Sequence, residues 1–483
     1  METLRQAWES FREHPLTNAL LPHLLAVAGF LLAFFAIARL MSQRKQPGNT
    51  FAWLLAIAFI PYVGVPLYLL LGGRKLRKLA ESKTRLQPTD SEAELKEPDT
   101  AVFASRVFTR DGACAPVGGN SLRLLGNGED SFAALEQGIR QAKVSIHLMT
   151  FILGRDEVGR RLVELLAQRA SEGVKVRLLL DAFGCFWTAG SFCDPIRRAG
   201  GEVVKFMPIL PLSTRGSANL RNHRKLGIID HHWAAVGGRN LAKEYMGPTP
   251  YRHRWRDLGA VIEGPAVRQV EDIFFADWCY ASGQSIAQLR GELPATAPAR
   301  AGQAHLQIVA SGPDVAGDPL YEGILSLVQQ AERSVWIVTP YFIPDEVLQR
   351  SLMVQARAGI DVRLVVPAKS NHPLTDLARR FHLRELQSAG VKVLLYQPGM
   401  NHAKMLIVDG ETALLGSANM DLRSLFVNFE IGLVSYSPSE AGAIRAWVEE
   451  VFVLSKPMPA HRQRPGLFAA IGEEIARLLA PLL

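Results

Sequence analysis

The chain has 483 residues, of which 48% are hydrophobic and 21% are charged, so it is long enough for two or three domains with buried cores. Its four cysteines are too few for a disulfide scaffold, and none belongs to a C-x-x-C pair of the kind that holds zinc or iron-sulfur clusters. We therefore expect a reducing compartment and no metal or cofactor. The net charge of +8 favours a polyanionic partner, either nucleic acid or an anionic membrane surface.

Two long apolar runs lie near the N-terminus, at residues 19 to 38 and 51 to 71. A helix rises 1.5 Å per residue, so each run is long enough to cross the roughly 30 Å hydrocarbon core of a bilayer. The sequence therefore predicts a two-helix transmembrane hairpin within an anchor of residues 1 to 80. The alternatives are a pair of buried core helices and a cleaved signal peptide, and the acidic residues Glu2, Glu9 and Glu13 argue against the signal peptide.

Basic residues give the expected orientation of this hairpin. Six lysines and arginines lie between residues 74 and 85, more than in the short loop between the two runs. The positive-inside rule then places both ends of the hairpin in the cytoplasm, together with everything that follows. Residues 81 to 100 are charged and contain prolines, so we expect a hinge between the anchor and the rest of the chain.

The remainder of the chain contains two copies of one pattern of predicted strands and helices. In each copy, strongly apolar strand-like runs alternate with amphipathic helical stretches, which predicts an α/β fold with a largely buried sheet. We expect two duplicated α/β/α sandwich halves related by a pseudo-two-fold axis. The predicted strands lie at 142 to 152, 174 to 181 and 202 to 207 in the first copy, and from 334, at 360 to 367 and at 391 to 397 in the second.

The composition also sets the expected boundaries of the halves. The first half covers residues 101 to 291 and the second covers 303 to 465, with a linker at 292 to 302 that is rich in alanine and proline. The first copy also contains an insertion of about 11 residues that begins at Ile209. This insertion either shapes the entry of substrate or decorates the surface.

The last residues, 466 to 483, place leucine, isoleucine and phenylalanine at helical spacing opposite glutamate and arginine. This pattern predicts an amphipathic helix of about five turns. The helix either docks on the protein's own surface or lies in the membrane interface, and its position after a proline-containing segment favours the interface.

One motif, His-x-Lys-x4-Asp, occurs once in each half. Each copy follows an asparagine and is followed in turn by a small-residue turn that ends in another asparagine, Asn240 or Asn419. On a β-strand, residues i and i+2 share a face, so the histidine and lysine of each copy project into the same space. Two halves related by a pseudo-two-fold axis would bring the four side chains together at their interface. The two copies consist of His223, Lys225 and Asp230, and of His402, Lys404 and Asp409.

These residue types suit reactions of phosphate esters. Near neutral pH, imidazole acts as a nucleophile or as a general acid, and lysine supplies positive charge for phosphate oxygens. By strand parity, the motif aspartates Asp230 and Asp409 lie on the face opposite the lysines, so we expect them to brace the fold rather than to touch substrate. They remain candidate residues as members of the motif.

The duplicated motif resembles the signature of the phospholipase D superfamily, and the resemblance covers nearly the whole chain. Flanking segments at 219 to 225, 236 to 240, 255 to 257, 339 to 345 and 415 to 424 are similar to those of the bacterial cardiolipin synthases that have two N-terminal spans. The motif itself implies phosphodiester chemistry, whereas the flanking segments and the predicted anchor imply the substrate. The resemblance also implies a location in the bacterial inner membrane, with the catalytic part in the cytoplasm.

This resemblance implies a two-step phosphatidyl transfer that needs neither metal nor cofactor. One histidine attacks the phosphorus of phosphatidylglycerol and forms a phosphatidyl-histidine, while the other protonates the departing glycerol. A second phosphatidylglycerol then accepts the phosphatidyl group, and cardiolipin leaves. By analogy with the superfamily's amino-terminal motif, we expect His223 to be the nucleophile and His402 to be the acid and base.

Further site residues follow from the same resemblance. The two motif lysines, together with Asn240, Asn419 and Ser417, are expected to hold the phosphoryl oxygens. Asp257 lies 34 residues after His223, and Glu430 lies 28 residues after His402. These two carboxylates match the positions at which relatives keep the group that fixes the tautomer of a catalytic histidine.

Three other functions compete with this interpretation. A hydrolytic phospholipase D, or transfer to another alcohol, would use the same covalent intermediate. A membrane-tethered nuclease fits the basic charge, but the catalytic part lacks a run of basic residues interleaved with aromatics. A non-catalytic lipid-binding scaffold is disfavoured because both copies keep their histidine, lysine and asparagine. We therefore expect phosphatidylglycerol and anionic lipid as partners, and no nucleic acid.

Overall fold

The computed structural model describes residues 99 to 207, 220 to 315 and 317 to 459, with separate positions in the ranges 23 to 65 and 472 to 476. Nearly half of the two apolar runs, most of the hinge and nearly all of the insertion that begins at Ile209 lie outside the described residues. Within the part that is described, no helix combines the length and the apolar character that a membrane crossing requires.

The described chain alternates strands and helices through both copies. The first part contains α1 (Asp99–Arg110), β1 (Val117–Leu125), α2 (Gly128–Gln141), β2 (Ser145–Thr150), α3 (Glu157–Ser171), β3 (Lys175–Asp181), α4 (Asp194–Arg198), β4 (Glu202–Phe206), β5 (Leu226–Ile229), β6 (Trp233–Gly237), β7 (Gly259–Glu263), α5 (Ala266–Ser282) and α6 (Ile286–Arg290). The second part contains β8 (Ala304–Ser311), α7 (Pro319–Gln329), β9 (Ser334–Val338), β10 (Phe342–Ile343), α8 (Glu346–Arg357), β11 (Asp361–Pro367), α9 (Pro373–Ser388), β12 (Lys392–Tyr396), β13 (Met405–Val408), β14 (Thr412–Gly416), β15 (Met420–Asp421), α10 (Leu422–Phe426), β16 (Glu430–Ser435), α11 (Pro438–Val453) and β17 (Ser455–Pro457).

Fifteen of these strands form one continuous sheet, in the order β17-β12-β11-β9-β13-β14-β16-β8-β1-β7-β6-β5-β2-β3-β4. The two copies meet at the antiparallel pair β8 and β1. Outward from that pair, the strands of the second copy follow the same order as those of the first, and β17 is added at one edge. This repeat confirms the predicted duplication.

The local sequence explains why these elements form where they do. Strands β2 and β3 pair in parallel and are almost entirely buried, which is why each strand carries apolar side chains on both of its faces. Some of the helices that cover the sheet begin at side chains that cap them. Asn127, Asp156 and Asp345 accept hydrogen bonds from the first-turn N–H groups of α2, α3 and α8.

The motif aspartates fasten neighbouring strands. Asp230 follows β5 in the left-handed region, with φ 48°, and its carboxylate accepts the N–H groups of Lys143, Val144 and Ser145 at 2.7 to 2.9 Å. Both aspartates thus lie at the end of their strand opposite the motif histidine. The equivalent Asp409 accepts the N–H groups of Glu332, Arg333 and Ser334 at the start of β9.

Both aspartates thus brace the start of a neighbouring strand, as expected from the sequence.

Two chain segments near the halves are also held in place. In the linker, Glu292 accepts hydrogen bonds from Arg177 at 2.8 and 3.1 Å, which ties the linker to β3. In the C-terminal segment, Glu473 pairs with Arg384 of α9. Ala476 packs against Ile343 and Ala378. The described positions of this segment therefore dock on the second half, although the sequence favours the membrane interface.

The motif aspartates generate a stability prediction. Replacing Asp230 or Asp409 with alanine leaves three backbone N–H groups without their acceptor, so each variant should lose about 1–3 kcal/mol in its free energy of unfolding. The turnover per folded molecule should change by less than about threefold. Thermal unfolding and the activity of the folded fraction test this account. A loss of turnover as large as that of a histidine variant, with no loss of stability, would contradict it.

Candidate active site

Each motif histidine lies in a short segment just before a central strand, β5 or β13, and the preceding asparagine shapes that segment. The side-chain oxygen of Asn222 accepts the N–H of Arg224 at 3.1 Å, and that of Asn401 accepts the N–H of Ala403 at 3.1 Å. This local bond turns the backbone around the histidine in both copies. It explains why asparagine precedes both motifs.

Backbone bridges between the two halves hold these segments against each other. Asn222 pairs with Phe429, and Asn401 pairs with Arg256. The N–H of His223 donates to the carbonyl of Phe429 at 2.9 Å, and the N–H of His402 donates to that of Arg256 at 2.6 Å. The residue after each bridging partner is a carboxylate, so each half presents its carboxylate to the histidine of the other half.

The result is two crossed histidine–carboxylate pairs. Nδ1 of His223 lies 3.0 Å from both oxygens of Glu430, and Nδ1 of His402 lies 2.8 Å from Asp257. Both carboxylates are fully buried. A histidine that donates its Nδ1 proton to a carboxylate keeps a lone pair on Nε2 for chemistry. The sequence spacing assigns each carboxylate to the histidine of its own half. In the structure, each carboxylate contacts the histidine of the other half instead.

The two motif lysines are buried beside the histidines. The Lys225 ammonium donates to the carbonyl of His223 at 2.6 Å and lies 5.5 Å from the Phe151 ring. The Lys404 ammonium donates to the carbonyl of His402 and lies 2.8 Å from Nδ1 and 3.1 Å from Nε2 of the same residue. Burial lowers the pKa of Lys404 to about 8, against the opposing charge of Asp257, and it holds the pKa of Lys225 well below its usual value.

The same surroundings keep the histidines uncharged. Burial, followed by the Lys404 ammonium, lowers the pKa of His402 to about 3. Burial also lowers the pKa of His223, where Glu430 opposes the shift and both motif lysines add to it. Each histidine responds to the lysine of the other half as well as to its own, so the four side chains share one electrostatic site.

The predicted phosphate-binding residues have different surroundings. Asn240 accepts the N–H of Ile152 at 3.1 Å, and Asn419 donates to the hydroxyl of Ser424 at 3.2 Å. Among the described residues, the side-chain oxygen of Asn419 has no hydrogen-bond partner although it is buried. Ser417 is fully buried and donates its hydroxyl to Glu430. Ser417 therefore orients a carboxylate in this structure rather than presenting its hydroxyl to a phosphate.

One residue that the sequence motifs do not single out supports the site from below. Arg224 is fully buried and donates to both oxygens of Asp277 at 2.8 Å and to the carbonyl of Glu430 at 3.0 Å. It thereby holds the carboxylate strand of the second half beneath His223. The sequence feature that could have revealed Arg224 is a charged residue between the motif histidine and lysine, at a position that faces the interior. The second copy has Ala403 at this position.

Aromatic rings pack against both histidines and were also missed. Phe151 lies edge-on to His223, with ring centres 5.2 Å apart. Tyr245 and Trp255 contact His402 with ring centres 5.1 and 5.3 Å away. These rings exclude water from the imidazoles and help to explain their low pKa values.

A loop with exposed aromatic side chains lies at the same edge of the sheet. Residues 182 to 192 contain no charged residue, and Phe183, Phe186 and Trp187 are 61%, 56% and 77% exposed. The loop is nevertheless anchored, because Asp181 accepts the N–H of Asn222 at 2.9 Å. It follows β3 directly and thus lies beside the His223 segment.

Comparison with known proteins identifies the family to which this site belongs. The family described as "Cardiolipin synthase, PLD-like domain" matches residues 135 to 278 and 324 to 452, which include both histidine motifs. A cardiolipin synthase from Geobacillus thermodenitrificans is 34% identical over 456 residues, which cover 91% of this chain and 90% of that protein. The chain belongs to the bacterial cardiolipin synthase family of the phospholipase D superfamily.

Further comparisons agree with this membership. A cardiolipin synthase from Listeria welshimeri is 34% identical over 486 residues, covering 96% of this chain and all of that protein. Residues 31 to 73 match the family described as "Phospholipase_D-nuclease N-terminal". A solved phosphatidylserine synthase of Haemophilus influenzae Rd KW20 has a similar fold, with a TM-score of 0.60 and 17% identity, over 79% of this chain and 98% of that one.

The buried lysines of this cardiolipin synthase site predict its pH dependence. A lysine whose pKa is lowered is charged below that pKa and neutral above it, and the site needs the charge to hold phosphate oxygens. Therefore kcat/KM should fall on the alkaline side from no higher than about pH 8. A pH profile of the wild type, with the surface variant Lys175→Arg as a control, tests this. A profile that stays flat to about pH 10 would contradict it.

Proposed function

We propose that the protein transfers a phosphatidyl group from one phosphatidylglycerol to a second, forming cardiolipin and releasing glycerol. The observation that carries this proposal is the pair of crossed histidine–carboxylate contacts beside two buried lysines, in a chain of the cardiolipin synthase family. Two imidazoles and two ammonium groups are suited to attack on phosphorus, protonation of an alkoxide and stabilisation of phosphoryl oxygens.

In the first step, Nε2 of His223 attacks the phosphorus of phosphatidylglycerol. The bond from phosphorus to the glycerol headgroup breaks, and His402 gives a proton to the departing oxygen. The bound phosphodiester brings one negative charge between the two lysines. That charge offsets the ammonium groups that hold the pKa of His402 low, so substrate binding favours the protonated acid.

In the second step, a second phosphatidylglycerol supplies its headgroup hydroxyl. His402, now neutral, takes the hydroxyl proton, the oxygen attacks phosphorus, and the bond to His223 breaks to release cardiolipin. The same residue thus acts as an acid and then as a base, and the phosphatidyl group stays covalently attached between the two steps.

The contacts of the two motif lysines support His223 as the nucleophile. Each lysine donates to the carbonyl of its own histidine, but the Lys404 ammonium also lies 2.8 Å from Nδ1 and 3.1 Å from Nε2 of His402. A nucleophile needs an unoccupied lone pair, and this difference favours Nε2 of His223.

The proposal includes a membrane anchor. The two apolar runs at 19 to 38 and 51 to 71, together with the basic residues that follow them, support a two-span hairpin with the catalytic part on the cytoplasmic side. The family match at 31 to 73 overlaps both runs. An anchored enzyme meets its phospholipid substrate within the bilayer in which that lipid resides.

The aromatic loop at 182 to 192 supports a lipid substrate as well. Tryptophan and phenylalanine favour the boundary between water and lipid, and three such side chains lie exposed beside the His223 segment. We infer that this loop touches the membrane surface while substrate enters the site.

The reaction itself is tested by its products. Purified full-length protein in detergent–lipid micelles, with labelled phosphatidylglycerol and no divalent metal, should yield cardiolipin and free glycerol. His223→Ala should reduce turnover by about 10³-fold or more. His402→Ala should also be slow, and it should accumulate a phosphatidyl adduct on His223 that mass spectrometry of the peptides detects.

Other products would indicate a different reaction or a different substrate. Phosphatidic acid with no cardiolipin would indicate a hydrolase, and a third phosphatidyl product would indicate another acceptor alcohol. Cleavage of nucleic acid without any lipid product would contradict the proposed substrate. An adduct on His402 in the His223→Ala variant would reverse the assignment of the two histidines.

Contact between the aromatic loop and lipid is tested separately. The double variant Phe186→Ser with Trp187→Ser should lower kcat/KM about 10-fold for phosphatidylglycerol in vesicles. It should stay within about twofold of the wild type for short-chain monomeric phosphatidylglycerol. Val453→Ser, which changes an 84% exposed residue on α11, is the control. Equal losses on both substrates would indicate a structural defect rather than membrane contact.

A further inference from the structure

A half-open apolar cavity lies beside the phosphate-binding lysine of the first half. Its volume is about 60 Å³, and its walls include Leu135, Leu148, Trp233 and Met246, with Lys225 and Arg239 as the charged lining residues. A cavity with so few polar groups does not suit water, because ordered water needs two to four polar partners. Its walls suit hydrocarbon instead.

The cavity continues from Lys225 along one face of β5. Lys225 and Gly227 are two residues apart and therefore share that face. Gly227 also lines the cavity. A glycine inside a buried strand leaves its neighbours without a side chain to pack against and often marks the close approach of another group. The cavity therefore begins where the phosphate is expected and extends into the layer between the sheet and α2.

In the second half, the position equivalent to Gly227 carries a side chain. β5 and β13 are equivalent strands of the repeat, and the register that pairs Gly227 with Leu148 pairs Leu406 with Ile337. Leu406 is fully buried in the core of the second half. The same site thus carries a leucine side chain in the second half, whereas in the first half a Cβ at Gly227 would meet the ends of Leu148, Leu135 and Trp233 at 2.9, 3.7 and 3.9 Å.

Other glycines in the cavity wall do not distinguish the halves. Gly237 and Gly259 pair with each other in the first half, and Gly416 and Gly432 pair in the same way in the second. These glycines are needed for close strand packing, since a Cβ at Gly237 would lie 2.7 Å from the Cα of Gly259. Gly227 has no such backbone neighbour, because its Cβ would meet only side-chain atoms. The loss of a side chain at Gly227 is therefore specific to the first half.

We propose that this cavity is an acyl subsite, in which the first methylene groups of one fatty-acid chain of the donor phospholipid lie while its phosphate is bound at Lys225. The proposal rests on the proposed phosphatidyl transfer and adds where the lipid tail is held. The cavity has room for a few methylene groups rather than for a whole chain, so the remainder of the chain extends toward the open side.

If only the first half has an acyl subsite, the donor and the acceptor phospholipid bind at different positions. The phosphatidyl group must remain attached while glycerol leaves and the second lipid enters, and burial of its chain beside Lys225 keeps it in the first half. The acceptor contributes only its headgroup hydroxyl to the reaction and needs no equivalent cavity. This arrangement agrees with His223, the histidine of the first half, as the covalent nucleophile.

A chain-length series tests the subsite. Full-length protein is assayed for glycerol release from monomeric phosphatidylglycerols with two, four, six and eight carbons per acyl chain. In the wild type, kcat/KM should rise with chain length. Gly227→Leu should lower kcat/KM for the eight-carbon lipid about 10- to 50-fold, the effect of two or three buried methylene groups, and should stay within about twofold for the two-carbon lipid.

A smaller substitution distinguishes loss of the subsite from misfolding of the Gly227→Leu variant. Gly227→Ala adds one methyl group whose nearest neighbour is a movable end of Leu148 at 2.9 Å, and it should lower kcat/KM for the eight-carbon lipid about fivefold. Gly138→Ala is the matched control: its methyl group meets the end of Ile229 in the same helix–sheet layer, and neither residue lines the cavity. The control should respond equally to all chain lengths.

The outcomes separate the two proposals. Losses that are equal at every chain length, or no loss in Gly227→Leu, would overturn the acyl subsite. Glycerol release reports the first step whichever acceptor follows, so the comparison remains valid even if the final product is phosphatidic acid. Failure of the proposed cardiolipin synthesis would appear instead as a wild-type product without cardiolipin, with the dependence on chain length intact.

Discussion

The site depends on two backbone bridges between the halves, Asn222 with Phe429 and Asn401 with Arg256. Each bridge sets a histidine beside the carboxylate that follows its partner, so Glu430 serves the first half and Asp257 serves the second. Because each pair takes one member from either half, neither copy of the repeat contains a complete histidine–carboxylate pair by itself. Duplication thus supplies a second motif and also the carboxylate that each histidine needs from the other half.

Burial sets the chemical state of the groups that the bridges bring together. Burial and the two ammonium groups favour neutral imidazoles, and they lower the pKa of His402 to about 3. A phosphodiester anion supplies the missing negative charge, so the acid becomes available when substrate is bound. The remaining differences between the halves, a buried Arg224 opposite Ala403 and Gly227 opposite Leu406, give the two histidines unequal surroundings within a symmetric frame.

Much of this could be predicted from sequence because the signals were local and repeated. Apolar runs located β2, β3 and β11, and spacing located both histidine–lysine pairs. The crossed pairing could not be predicted, because counting from His223 or His402 carries no information on which strands meet across the interface. The contact of Ser417 with Glu430 and the cavity beside Gly227 were hidden for the same reason: both depend on packing between residues distant in sequence.

The crossed pairing is tested most directly with a phosphatidyl ester of p-nitrophenol, whose leaving group needs no protonation. Rapid mixing then reports only the attack on phosphorus, as a burst of p-nitrophenol. If Glu430 orients the nucleophile His223, Glu430→Gln should slow the burst about 10²-fold or more, as His223→Ala does, whereas Asp257→Asn should keep a fast burst, as His402→Ala does. The opposite result, a fast burst in Glu430→Gln and a slow one in Asp257→Asn, would contradict the account.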